Sequence, residues 1–412
     1  MSKHIVVIKD GELLPVQKGT PCLRMGSIAK ALLARGHRVT WLATTWSHQF
    51  KSKIDDEGLK HVGDGYDVQL LECGSYKKNI SRARISHHAA YGRKVGEWLN
   101  EQSARPDLVL SAYPIPSVAA SAAHYCAKHN VPLIVDVRDL WPDVFIDKLG
   151  KLGSLLAWPL IRQQSKDLAT ALDVADDIIA VSEKYRQWSH DHVAADRRDK
   201  MRFHHFPIGA EVINRRDLNP SPAVKKRLDA LKDKTVFGFL GSFGKSYDLD
   251  LIVRAAEEFH AQGNENIHFA IAGDGEQRAM IEEAEARLPN FSYLGWINAD
   301  DTKAFLCACD VGVMPLQSVP GTFPNKPFQY MAADLPIISS LDGDFGRFVE
   351  EEKTGLNFKQ GDGVGFIEAI KDLSDTKLQS QMRARVSKVF TQRYEQSVVY
   401  EKLADIVEQA MS

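Results

Sequence analysis

Short apolar runs bounded by turn residues recur along the chain, and the segments between them carry apolar positions at helical spacing. Residues 5–8 read as a buried strand and 9–21 as a polar loop. Residues 22–35 read as a helix with Leu23, Ile28, Leu32 and Leu33 on roughly one face, stopped by Gly36. A second strand follows at 39–43, and this β-loop-α-β opening predicts a parallel sheet. Residues 44–106 are less regular, though residues 74–96 could present a solvated helix face. Strands are then expected at 108–110, 132–137, 178–181 and 203–206, with helices at 117–129 and 152–173 and a helix capped by Ser182. Residues 208–223 are rich in turn formers and read as a linker. The alternation restarts, with strands at 236–240, 267–271, 291–294, 310–314, 335–338 and 355–358, and a helical tail over 377–411. No internal repeat is visible, yet the architecture occurs twice. The expected class is α/β, with two Rossmann-like β/α/β domains facing across a cleft. Residues 1–207 form the first, 208–390 the second, and 391–412 a helix packing back on the first.

Length and composition narrow the class. A chain of 412 residues is long for one core. Its 44% hydrophobic and 26% charged content suits a globular protein, and a net charge of −2 predicts no nucleic-acid binding. The five cysteines are scattered and read as buried thiols of a reducing compartment. The opening passes straight into a strand, and no run approaches the ~18 apolar residues of a membrane helix. The expected location is cytoplasmic, with room for contact at the inner face of the cell membrane.

The chemistry centres on residues 319–340, VPGTFPNKPFQYMAADLPIISS. A turn-rich loop opens a short helix at 326–333, Lys326 adds charge at its mouth, and Gln329 lies one turn on. Backbone N–H groups at a helix start favour an anion, which together with a hydrogen-bonding amide suits a nucleotide sugar. Three loops of the second half should share one sheet edge: 241–248, 273–276 and 319–326. Gly241 and Gly244 allow close backbone approach, and Lys245 and Lys326 can hold one diphosphate from two sides. In the first half, DVRDLWPD at 136–143 sits at a strand end, where Arg138 is either a reactive group or half of a buried Arg–Asp pair. Residues 74–96 carry Lys77, Lys78, Arg82, Arg84, Arg93 and Lys94 and no acid before Gly96. That stretch fits anionic lipid or a diphosphate-bearing acceptor as well as a solvated face. Aspartate pairs at Asp248/Asp250 and Asp342/Asp344 are weak metal signals, and no HExxH, Walker A, GxGxxG or GxSxG pattern occurs.

With these residues in view, the chain resembles a GT-B glycosyltransferase of family 4 type. The segments that carry the likeness are GTPCLRMGSIAKALLARGHRVTWLAT, DVRDLWPD, AVSEKY, FLGSFGKSYDLD, IAGDGE, YLGWI and PNKPFQYMAADLPIISS. It is most similar to the bacterial surface-polysaccharide (WbuB-like) branch of O-antigen and capsule synthesis. The resemblance implies retaining transfer from a nucleotide-diphosphate sugar, expected to be UDP-linked, with no metal or other cofactor. The acceptor it implies is a saccharide, expected on a polyprenyl diphosphate. Catalytic roles would fall to Arg138, Lys245 and Lys326. The donor would meet Gly19, Thr20, Gly241, Ser242, Gly244, Gly273, Asp274, Trp296, Phe323, Pro324, Asn325 and Gln329. The acceptor or membrane would meet Lys77, Lys78, Arg82 and Arg84. The sequence departs from the family where two glutamates usually stand, at Gly321 and Gln329, and where an arginine is common, at Ser242. A GT-B epimerase and a non-catalytic nucleotide-sugar-binding partner therefore stay open as alternatives.

Overall fold

The computed structural model describes residues 2–17, 22–317 and 323–412, with backbone alone at 147–152, 154 and 156. The chain divides into two units. The first runs to Pro207 and includes Val399–Ser412, and the second is Ile208–Val398. The second unit thus continues past residue 390, where the sequence places its end.

The first unit carries β1 (His4–Ile8), β2 (Arg38–Thr44), β3 (Trp46–Ser47), β4 (Ser52–Lys53), β5 (Gly58–Gly63), β6 (Tyr66–Leu71), β7 (Leu108–Tyr113), β8 (Leu133–Val137), β9 (Asp177–Ala180) and β10 (Arg202–His205). Eight of them form one sheet in the order β10-β9-β8-β7-β1-β2-β6-β5. All neighbours are parallel except the β5–β6 hairpin. β7 and β8 are buried along their whole length and are apolar apart from Ser111 and Asp136. Residues 44–106 are more regular than expected. β5 alternates exposed and half-buried positions at a sheet edge, and the helix Arg82–Glu101 is mostly polar, so neither has the apolar run of an interior element. The final helix places Val399, Tyr400, Leu403, Ala404 and Val407 in one core cluster with Ile5, Val7, Leu32 and Trp41.

The second unit carries β11 (Thr235–Ser242), β12 (Ile267–Asp274), β13 (Phe291–Tyr293), β14 (Val311–Met314), β15 (Ile337–Ser339) and β16 (Gly355–Asn357). Their order is β13-β12-β11-β14-β15-β16, parallel throughout. The winding direction reverses between β11 and β14, and in the first sheet between β1 and β7. Open α/β sheets bind ligands outside the carboxyl ends of their strands at such reversals. No helix among the described residues is long and apolar enough to cross a membrane. All five cysteines are free. Cys73, Cys126 and Cys309 are buried, but Cys22 and Cys307 are only half-buried, against the expectation for all five.

Candidate functional site

In the second unit, β11 and β12 stay in register to their last residues, Gly241 opposite Gly273 and Ser242 opposite Asp274. Gly241 and Gly273 have φ of +148° and +147°. A Cβ on Gly273 would lie 1.8 Å from the Gly241 carbonyl oxygen, so the two strand ends meet backbone to backbone. The loop after β11 is bound on both sides. Phe243 N–H donates to the Asp274 carbonyl at 2.9 Å, and the Gln277 side-chain amide donates to the Gly244 and Tyr247 carbonyls at 2.9 and 3.0 Å. Toward β14, Asp248 N–H donates to the Pro315 carbonyl at 2.7 Å and Gln317 N–H to the Ser246 carbonyl at 2.9 Å. Gly273 N–H donates to the Gly295 carbonyl at 2.8 Å, beside Trp296, whose side chain is 76% exposed. One sheet edge therefore gathers Gly241, Ser242, Gly244, Lys245, Gly273, Asp274 and Trp296.

Lys326 enters this edge from the helix Lys326–Ala332. Its Nζ lies 3.6 Å from the centroid of the Tyr247 ring and 4.3 Å from that of Phe239. A Cβ on Gly241 would stand 2.0 Å from it. The nitrogen is buried without a hydrogen-bond partner, and burial pulls it down to about 7. Two π faces hold a cation that lacks a counter-charge. The sequence reading places neither lysine in a core. Lys326 is packed against Gly241, while Lys245 is exposed. Phe323 stacks on Phe328 at 5.1 Å and meets Phe345 edge-on at 5.0 Å, which anchors the segment through Pro324 and Asn325 into the helix. Tyr330 Oη donates to the Val313 carbonyl and accepts from Leu240 N–H, both at 3.2 Å, tying that helix to β11 and β14. Gln329 is exposed. Gly19, Thr20 and Gly321 lie outside the described residues.

The first unit gathers charge where β1 and β8 end. Arg138 is not paired with its flanking aspartates. Its Nη1 donates to Glu12 Oε2 at 2.8 Å, and Glu12 Oε1 accepts from Met25 N–H at 2.7 Å, satisfying a donor in the first turn of the helix Arg24–Ala34. Asp136 instead takes Arg24 in a fully buried bidentate pair, 2.9 and 2.8 Å. The side chain of Arg138, expected to be catalytic, is 22% exposed and half of an ion pair. Burial, with Arg138 nearby, lowers the Lys9 ammonium to about 8. Asp10 accepts from Thr44 Oγ1 at 2.6 Å and faces His87 Nε2 at 3.4 Å. Burial would raise that carboxyl, but His87 and Thr44 outweigh it and hold it below its ordinary value. The sequence reading missed Lys9, Asp10, Glu12 and Arg24. The available signal was KDGE directly after the first strand, at the carboxyl end of a central strand.

The basic stretch splits in two. Lys94 pairs with Glu57 at 2.6 Å and Arg93 with Glu97 at 3.7 Å. Lys77, Lys78 and Arg82 are exposed. Arg84 lies across Trp141 at 5.3 Å and Tyr76 at 5.8 Å. Asp250 and Asp344 pair with Arg254 and Arg347 of their own helices. Among the described residues, no three His, Cys, Asp or Glu side chains converge as a metal-binding group.

Two family models match this chain: Glycosyltransferase Family 4 over residues 24–205, and Glycosyl transferases group 1 over residues 234–376. No curated protein matches the sequence. Solved structures share the fold along the whole chain. Sucrose-phosphate synthase from Thermosynechococcus elongatus is 14% identical, with a TM-score of 0.70 over 99% of this chain and 98% of its own. Anabaena HepE in complex with UDP-glucose is 16% identical, with a TM-score of 0.61 over 99% and 100%. The trehalose 6-phosphate synthase of Burkholderia multivorans is 12% identical, with a TM-score of 0.67 over 99% and 97%. The fold is GT-B, and the chain is a glycosyltransferase.

Proposed function

We propose that this enzyme is a retaining transferase that moves a sugar from a UDP-sugar, without a metal, onto a polyprenyl-diphosphate-linked saccharide in surface-polysaccharide synthesis. It would work in the cytoplasm at the inner face of the membrane. The observation that carries the donor half is the unpartnered Lys326 ammonium beneath Gly241. A diphosphate seated at this edge would supply the missing counter-charge, with Lys245 closing from the exposed side of the same loop. As the sugar–oxygen bond lengthens, negative charge grows on the leaving diphosphate, and cations already in place stabilise that state more than the ground state. Glycine at 241 and 273 lets backbone reach the phosphates. Trp296 offers an exposed flat face beside them for the base. A structure of HepE contains UDP-glucose, which supports the choice of nucleotide. Stereochemistry, acceptor class and pathway rest on the sequence resemblance.

Thermal melting with UDP, UDP-sugars and their ADP and GDP counterparts tests the donor. UDP at 100 times its dissociation constant should stabilise the protein by ~2.7 kcal/mol. Lys326→Met should abolish the shift. An unchanged shift in that variant would place the diphosphate elsewhere.

A further inference from the structure

A cavity of 340 Å³ opens at the carboxyl edge of the first sheet, lined by Ile85, Ala89, Ile115, Trp141, Phe145 and Leu160 among others. Its wall is mostly carbon. His88, also on the wall, is held by burial at about 3 and so stays neutral. Asp167 has its carboxyl raised by burial and accepts from Gln163 at 2.9 Å. At the rim, Arg84 donates from Nη1 to the Asn79 carbonyl at 2.8 Å, while its Nε is buried with no partner. No carboxylate among the described residues pairs with Arg84 or with exposed Lys77, Lys78 and Arg82 on the approach to it. Large apolar side chains also stand in water here. Ile80, on the cavity wall, is 86% exposed, and Leu155 and Trp158, on the helix that supplies Leu160, are 71% and 58% exposed. A sugar pocket needs donors and acceptors for every buried hydroxyl. Carbon walls under a cationic mouth instead complement an amphiphile with an anionic head and a hydrocarbon chain.

We propose that this cavity receives the isoprene units nearest the head of the acceptor's lipid carrier, with the carrier diphosphate at Arg84. The proposal rests on the lipid-linked acceptor reading and adds the subsite that holds the chain. Ring contacts run from Tyr76 through His87 and His88 to Trp141, joining the cavity to the polar group around Asp10. Chain and saccharide would therefore part at Trp141.

The test is equilibrium binding of farnesyl diphosphate, inorganic diphosphate and farnesol below micelle-forming concentrations, with saturating UDP to occupy the donor site. Each buried methylene is worth roughly fourfold in affinity. Farnesyl diphosphate should bind at least tenfold more tightly than inorganic diphosphate. Ala89→Trp, at an exposed helix position facing the cavity, should remove that advantage and leave inorganic diphosphate binding unchanged. Arg84→Gln should weaken both diphosphates but not farnesol. Ala157→Phe serves as a second filling variant if the first does not fold. Equal binding of the two diphosphates, or indifference to both filling variants, overturns the proposal. So does loss of sedimentation with anionic vesicles in Ala89→Trp when the free chain gives no advantage, because the face would then only touch the membrane. Normal UDP-dependent transfer to a soluble saccharide alongside such a failure would leave the transferase reading standing and remove only the chain subsite.

Discussion

Lys326 is a lysine in a place where lysine is costly, and that cost is measurable. Its ordinary value of about 10.4 falls to about 7 in the folded chain because burial disfavours the charge. Between those values the unfolded chain binds more protons, so stability without ligand should rise from pH 7 towards pH 10, by up to about 1.4 kcal/mol per pH unit. Urea midpoints at pH 7 and 9 should show the slope in the native protein and its reduction in Lys326→Met, with the part above pH 8 that Lys9 contributes left in place. UDP-glucose, whose diphosphate charge is constant over this range, should bind with proton uptake and weaken as pH rises above 7. Lys245 is exposed, so Lys245→Ala should lower kcat/KM by roughly 10²–10³ with no change in Tm. In a double-mutant cycle with Lys326→Met, the combined loss should be smaller than the product if both act on one diphosphate, as proposed. Gln329, exposed one turn along the same helix, should read the ribose. Gln329→Ala should then raise KM more than it lowers kcat, and a fall in kcat alone would reassign it to the transition state.

At the scale of elements, the proposed donor edge depends on two strand ends that touch. Gly273→Ala forces a Cβ against the Gly241 carbonyl at positive φ, with an expected cost of roughly 3 kcal/mol or more. Gly244 has nothing within 4 Å of where its Cβ would stand, so Gly244→Ala should keep the native urea midpoint and serves as the control. The central strands were legible in the sequence because both their faces are buried and they read as short, mostly apolar runs. The hairpin of β5 and β6 was not, since an edge strand with one wet face alternates with polar residues and resembles loop. The helix Arg82–Glu101 hid for a related reason, its buried side being made of His87, Tyr91, Gly92, Val95 and Leu99. The loop-and-helix segment at 323–332 was read correctly as a short helix led by lysine, but the aromatic packing of Phe323 shows only in three dimensions.

Over the whole molecule, the chain's last residues complete the first unit rather than the second. Ending the chain at Val398 would expose the faces now covered by Val399, Tyr400, Leu403, Ala404 and Val407. Burial of each large side chain is worth roughly 1.5–3 kcal/mol, so the shortened chain should lose the first unit's cooperative unfolding in urea. Arg24 and Asp136 place a second whole-fold demand, joining residues 112 apart in a buried bidentate pair. Asp136→Asn leaves a buried guanidinium without its counter-charge and should cost about 3–5 kcal/mol, read as a fall in Tm.

By itself the sequence determined the α/β class, the doubling of the architecture, the apolar strands, and the glycines and lysines that gather where β11 and β12 end. Those features follow from local periodicity, from turn chemistry and from residue types that few other positions require. The tertiary structure decided which charges are partners. Arg138 met Glu12 from another loop, Asp136 met Arg24, and Lys326 met two aromatic rings and no anion. It also joined Ile85, Trp141 and Leu160 into one carbon-walled cavity. Pairing and enclosure depend on contacts between residues far apart in the chain, and a pattern read along one dimension does not contain them.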